Sequence, residues 1–366
     1  FANSRAKGEA GLPIYSVTMD RGLVRRDSLD RHMHGDAADE TNLRAQSGDI
    51  VYNMMRMWQG AAGIAPEECM VSPAYVVLSP KEETSSEFFN YRIENARMLY
   101  QLWAYSHGLT SDRLRLYFAD FARIPVSQPT LPEQKKIAAF LGVVDDKLSA
   151  LKSKRDLLGE YKRGLMQKLF SQELRFAKPN GQPFPDWEEK RLGDVFTERS
   201  ERDNENAELL SVTMSSGVVR AKDVGRVDGA SKDKSNYKSV YQNDIAYNSM
   251  RMWQGANGVS AYDGIVSPAY TVITPRLGQI PDFWGYSFKL KKVIQEFQRH
   301  SQGLTSDTWN LKFPALSSIK LQIPHPDEQQ KIADALSALD DKISAVADQI
   351  TAMQDFKKGL LQQMFV

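Results

Sequence analysis

The sequence predicts an α+β protein built as two copies of one unit, each a mixed globular domain followed by a long helix. Three observations predict it. One is a long internal repeat; another is a set of short β-rich runs between turn residues in the first part of each copy; the third is a heptad seam in the second part.

The repeat sets the frame. Val17-Thr18-Met19 recurs as Val212-Thr213-Met214, and Met55–Ala61 (MRMWQGA) recurs unchanged as Met250–Ala256. Val71–Tyr75 recurs as Val266–Tyr270, and Gly108–Asp112 as Gly303–Asp307. Asp49 and Asp244 stand 195 positions apart, as do Asp112 and Asp307, so the register holds without a net gap. A duplicated unit of that length is too long for a solenoid repeat. Phe1 aligns with Phe196, so the first copy is expected to lack the counterpart of Trp187–Val195, as a truncated opening would.

In the first part of each copy, runs such as Ile50–Tyr52 and Tyr75–Leu78 lie between Gly, Pro, Asn and Ser and predict strands. The stretch Glu87–Tyr105, with aromatics at 88, 89, 91, 100 and 103, predicts a helix. A helix of heptad type then follows. Thr130 can cap it, Pro132 suits its first turn, and Glu133 completes a capping box. Leu141, Val144, Leu148 and Leu151 form its seam, matched by Leu336, Leu339, Ile343 and Val346. Two such helices in one chain are natural partners for an antiparallel coiled coil with pseudo-twofold symmetry. About 35 residues at roughly 1.5 Å each make a rod of about 50 Å, or roughly 15 base pairs of duplex. Arg155 in the seam either fixes register or lays its stem along it; Gly164 and Gly359 mark either helix ends or close approach of a partner. The expected division is 1–129 first domain, 130–171 central helix, 172–186 linker, 187–324 second domain and 325–366 distal helix.

Composition narrows the function classes. The chain is 42% hydrophobic and 25% charged with a net charge of +1, so it is globular and no polybasic coat. One cysteine, Cys69, excludes an internal disulfide framework and suits a reducing cytoplasm, and no apolar run reaches membrane-spanning length.

Among candidate contacts, Arg56 and Gln59, with their twins Arg251 and Gln254, suit DNA best. Arg pairs bidentately with guanine and Gln with adenine, and the glycines around them shape a loop after a strand that ends in Asn53 or Asn248. Arg56 could instead pair with a carboxylate, and Trp58 suits packing. Thr110 and Ser111, repeated as Thr305 and Ser306, suit phosphate or base-edge contact, or else a capping turn. Arg25 and Arg220 are candidate phosphate clamps. Ser72-Pro73-Ala74-Tyr75 resembles an amino-methyltransferase motif, but its third residue is Ala in both copies and no Gly-rich loop offers an S-adenosylmethionine site. His32 and His34 have counterparts Val227 and Gly229, so no metal is expected, nor any cofactor or catalytic residue. Asp186 and Glu188-Glu189-Lys190 read as an exposed charge run and not as a nuclease motif.

Several motifs together carry a family signal. They are Pro132–Ala138 with Asp327–Ala333; Asp145-Asp146-Lys147 with Asp340-Asp341-Lys342; Lys162–Gln167 with Lys357–Gln362; and Trp187 with Leu192-Gly193-Asp194. In combination they resemble the specificity (S) subunit of a type I restriction–modification system, over nearly the whole chain. The resemblance implies two target-recognition domains, each reading half of a split site in double-stranded DNA. It also implies conserved helices on which two methyltransferase (M) subunits dock, with restriction (R) subunits joining them, and no chemistry in the chain itself. The near-identical loops predict near-identical half-sites. The competing readings are a self-contained DNA methyltransferase or nuclease, and a coiled-coil scaffold with no DNA role.

Overall fold

The computed structural model describes residues 1–29, 41–202, 206–224, 233–305 and 308–365, so His32, His34 and Ser306 lie outside the described residues. The chain divides into two compact units. One comprises Phe1–Arg155 with Ala345–Val366, the other Asp156–Ser344. This division cuts each long helix in two, where sequence boundaries keep the helices apart from the domains.

The first unit is built on an antiparallel four-stranded sheet in the order Ala2–Ser4, Tyr75–Ser79, Ile50–Asn53, Ala62–Ile64. Strand alternation gives this sheet two apolar faces. Ile50, Tyr52, Val76 and Leu78 join the helical core with Phe88, Ile93 and Leu102. Val51 and Val77 face a second core against the sheet Leu23–Arg25, Ile14–Val17, Cys69–Val71, Leu43–Ala45. Burial in that core pushes the Cys69 thiol up to about 12. The second unit repeats the plan with Phe196–Arg199, Tyr270–Pro275, Ile245–Asn248 and Asn257–Val259. There Ile245, Tyr247 and Ile273 face the helices, while Ala246 and Val272 face the other way. This is the α+β architecture the sequence predicts.

The expected helix 87–105 is two helices, Ser86–Glu94 and Ala96–Ala104. Asn95 breaks it: its backbone is extended (φ −72°, ψ 136°), and its Oδ1 accepts from the N–H groups of Arg97 and Met98. An Asn side chain competes with the helical ladder in this way and favours a cap.

The long helices run Leu131–Phe170 and Pro326–Met364. In the first unit the start of one packs beside the end of the other. Ala138 and Leu141 share a core with Leu361 and Phe365, and Lys357 Nζ lies 2.9 Å from Asp145. In the second unit Leu169 and Phe170 share a core with Ile332, Ala333 and Leu336, and Lys162 Nζ lies 2.5 Å from Asp340. In both, residue numbers rise along one helix as they fall along the other, so the pairing is antiparallel. Of the seam residues, Leu141, Val144, Leu148, Leu151, Leu336, Leu339 and Val346 are buried and Ile343 is half-buried. Arg155 is exposed.

A repeated three-residue lock fixes each helix pair. Tyr91 Oη donates to Asp145 at 2.8 Å, and Lys357 sits 5.0 Å from the Tyr91 ring centre. Its twin is Tyr286 donating to Asp340 at 2.7 Å, with Lys162 4.8 Å from the ring. Both phenols are driven well above their ordinary range, first by burial and then by the carboxylate. Each lock draws its lysine from the other copy of the repeat, so each domain core is finished by the other copy's helix.

Gly164 and Gly359 do not end their helices, which continue to Phe170 and Met364. A Cβ at either would meet nothing within 4 Å. Gly63 is the opposite case, since a Cβ there would lie 2.2 Å from the Leu23 backbone nitrogen. Gly63→Ala is therefore expected to destabilise the first unit by about 3 kcal/mol or more. Gly164→Ala should gain roughly 0.5–1 kcal/mol. Denaturant unfolding of the two variants checks both signs.

The segment 172–186, a linker by composition, is packed. Phe184 is buried against His325, and Arg175 reaches Glu328 at 2.9 Å. Glu188–Arg191 forms an exposed strand paired with Lys320–Ile323.

Candidate nucleic-acid interface

Three loops gather beside the central sheet of each unit. The middle one carries the Arg–Gln pair and is held almost entirely by its own backbone. In the first unit Asn53 Oδ1 accepts from Met55 N at 3.0 Å, and Arg56 N donates to Asn53 O at 3.0 Å. Gln59 N and Ala61 N both donate to Arg56 O, and Gly60 closes the turn in the left-handed region (φ 88°). Arg56 and Gln59 are exposed, and Arg56 Nη1 donates to Gln59 Oε1 at 3.3 Å. Among the described residues Arg56 has no carboxylate partner. Trp58 is half-buried and donates to Met55 O at 3.2 Å, a packing role.

The second unit reproduces this loop. Asn248 Oδ1 accepts from Met250 N at 3.0 Å, Trp253 donates to Met250 O at 3.1 Å, and Arg251 and Gln254 are exposed. The asparagines are thus committed to shaping the loop, and the Arg and Gln tips are presented outward.

The third loop is cinched at its neck. His107 and Arg115 exchange backbone bonds of 2.9 Å each, and Gln302 and Asn310 exchange bonds of 3.0 and 2.8 Å. A Cβ on Gly108 would sit 2.5 Å from Arg113 O, so only glycine fits the closure. Leu116 N donates to Met54 O at 2.9 Å and Leu311 N to Ser249 O at 2.8 Å, tying this loop to the middle one. In the second unit the Trp253 and Trp309 rings also meet edge-on at 5.2 Å. Thr110 and Thr305 are exposed; Thr305 N donates to Thr308 Oγ1 at 3.1 Å, so the segment also makes a local turn. The Ser111 side chain lies outside the described residues.

The first loop, around Met19 or Met214, carries no side-chain pair that its sequence marks as a contact. Thr18 and Thr213 fold it by accepting from Arg21 N and Ser216 N. In the second unit Lys289 joins it to the middle loop. Its ammonium donates to Gly255 O (2.6 Å), Asn257 O (2.8 Å) and Met214 O (3.4 Å). Burial lowers this lysine to about 8. Its counterpart in the first unit is Glu94, which pairs with Lys357, so the repeat gave no hint of the tie.

The two candidate clamps are engaged. Arg25 pairs with exposed Asp27 at 3.1 Å. Arg220 lies 3.0 Å from Glu208, not aligned as a hydrogen bond, and stacks 4.6 Å from the Tyr262 ring. Ser72-Pro73-Ala74-Tyr75 is a turn into a strand, with Ala74 N donating to Ser72 Oγ at 3.2 Å. Among the described residues no cluster of three or more His, Cys, Asp or Glu could hold a metal, and no helix is long and apolar enough to cross a membrane.

Comparison with known proteins places this architecture. The model of the type I restriction modification DNA specificity domain matches residues 5–158 and again 185–352. The HindI specificity subunit of Haemophilus influenzae is 26% identical over 195 residues, which is 50% of this chain and 41% of that protein. The MjaVIII specificity subunit of Methanocaldococcus jannaschii is 23% identical over 246 residues, 60% of this chain and 56% of that protein. The matched regions thus span about half the length of these relatives. Two solved structures share the fold. The type I restriction–modification S subunit from M. genitalium has a TM-score of 0.56 at 16% identity, covering 99% of this chain and 90% of its own. The HsdS subunit from Thermoanaerobacter tengcongensis has a TM-score of 0.51 at 14% identity, covering 100% and 94%. With a specificity-domain match in each copy of the repeat, the chain belongs to the type I restriction–modification DNA specificity family.

Proposed function

We propose that the chain is the non-catalytic, DNA-reading component of a type I restriction–modification complex, with each unit presenting its three-loop face to the major groove of one half-site. The observation that carries this reading is the pair of preformed loops holding Arg56–Gln59 and Arg251–Gln254 exposed at the same place in both units. Guanidinium and carboxamide groups are the donors and acceptors that discriminate guanine and adenine edges. Thr110, Thr305 and the loop backbones supply positioning contacts to phosphate.

Two methyltransferase subunits dock on the long helices in this reading, and restriction subunits join through them. Because the middle loops are identical in sequence and alike in backbone, the two half-sites are near-identical and inverted around an unread spacer. The neighbouring loop tempers the symmetry. The first unit carries His107, Arg113 and Arg115 where the second has Gln302, Thr308 and Asn310. The bases read are therefore alike, while the first unit holds its half-site with more charge and a steeper salt dependence.

Selection from a randomised duplex pool by the chain assembled with its methyltransferase subunit tests this. A bipartite, near-palindromic consensus is the expected result. Two unrelated half-sites refute the palindrome, and no sequence preference at all refutes the DNA-reading role.

A further inference from the structure

At the tips of these loops the repeat keeps three exposed apolar side chains in register: Met19 with Met214, Met55 with Met250, and Leu109 with Leu304. Single exposed apolar residues are ordinary. Around the sheet ends these are set apart because both copies hold them, whereas the exposed Tyr100, Trp103 and Tyr117 face Gln295, Gln298 and Lys312; the other exposed apolar pair kept in register, Tyr161 with Phe356, lies on the long helices and away from these loops. The leucines are extreme. Leu109 is 96% exposed and Leu304 fully exposed, so neither contributes to a core. Each stands on a loop whose neck is closed by reciprocal backbone bonds. A closed neck bearing a bare apolar tip, tied through Leu116 N–Met54 O and Leu311 N–Ser249 O to the loop that holds exposed Arg and Gln, suits a surface that is polar at its edges and apolar within, and a base stack has that character.

Resting on the DNA-reading role above, we propose that Leu109 and Leu304 act as wedges that enter the base stack, one at each half-site. Apolar side chains inserted between base steps unstack them locally. A wedge buries the whole isobutyl group, whereas contact with a thymine methyl covers one side of it; among the described residues nothing in either loop shields the remaining faces.

The test uses the chain assembled with its methyltransferase subunit and a duplex of the selected sequence, with 2-aminopurine placed at successive positions. The native complex should brighten at one step in each half. Leu109→Ser should darken the step in one half only and Leu304→Ser the step in the other. Each should weaken binding about tenfold, with an unchanged salt slope because no phosphate contact is lost. The wedge is overturned if no position brightens, if every bright position stays bright in both variants, or if deoxyuridine in place of thymine reproduces the loss. Failure of the native complex to prefer any sequence overturns the DNA-reading role as well, which separates the two failures.

Discussion

Arg56→Ala is expected to weaken specific DNA binding by about 1–3 kcal/mol and to relax selectivity at one position of one half-site. Arg251→Ala should do the same in the other half. The expectation follows from how little else the side chain does. Arg56 is exposed, its one described side-chain bond is to Gln59, and the loop around it is held by backbone bonds and the Asn53 carboxamide. Truncation therefore removes a donor fork without removing a support, and the unfolding midpoint should stay where it was. Competition binding against a panel of single-base variants separates base reading from phosphate contact. A base reader loses discrimination at one position. A phosphate clamp loses affinity evenly across the panel, with a salt slope shallower by about one. Arg56→Lys should behave nearly as badly as Ala, because an ammonium cannot reproduce two parallel donors. Unchanged selectivity in both single variants and in the double variant removes the loop from the reading surface.

What the sequence disclosed follows a physical rule. Features with short periods or exact repetition were legible. The heptad seam marked Leu141 through Leu151 as buried because a helix repeats its face every few residues. The duplicated loop marked a shared backbone turn that leaves Arg56 and Gln59, like their twins Arg251 and Gln254, exposed; what they contact stays a proposal. Features decided by a distant partner were not legible. Asn95 splits a helix through its own side chain, while its amide donates to Leu361 O at 2.8 Å, a contact across 266 positions. Lys289 organises two loops in one unit and has a glutamate as its twin. Composition called 172–186 a linker because Pro, Gly and Asn dominate its middle, yet Arg175 and Phe184 tie it to the start of the distal helix. The locks of Tyr91, Asp145 and Lys357, and of Tyr286, Asp340 and Lys162, lie between these cases. Every member has a twin, but only the antiparallel pairing shows that each lysine crosses to the other copy's pair.

That segment yields the largest stability effect. Glu328 is wholly buried, and Arg175 holds it through Nε at 3.1 Å and Nη2 at 2.9 Å, with the Trp187 indole donating at 3.2 Å. Arg175 also donates to the carbonyl of Pro185 at 2.6 Å, so one guanidinium fastens the segment to the helix start. Removing it leaves a buried carboxylate with a single neutral donor. Losing one partner of a buried pair costs roughly 3–5 kcal/mol, most of it for the charge left behind. Arg175→Met should therefore lower the stability of the second unit by about that much in denaturant unfolding. Adding Glu328→Gln should recover part of the loss, because it removes the stranded charge while the amide oxygen still accepts from Trp187. The repeat supplies its own control. Glu133 occupies the same place in the first copy but is exposed, so Glu133→Gln should change stability by no more than about 0.5 kcal/mol. If Arg175→Met proved as mild as Glu133→Gln, the segment would be the loose tether its composition suggests, and burial of Glu328 would have to be stabilised from elsewhere.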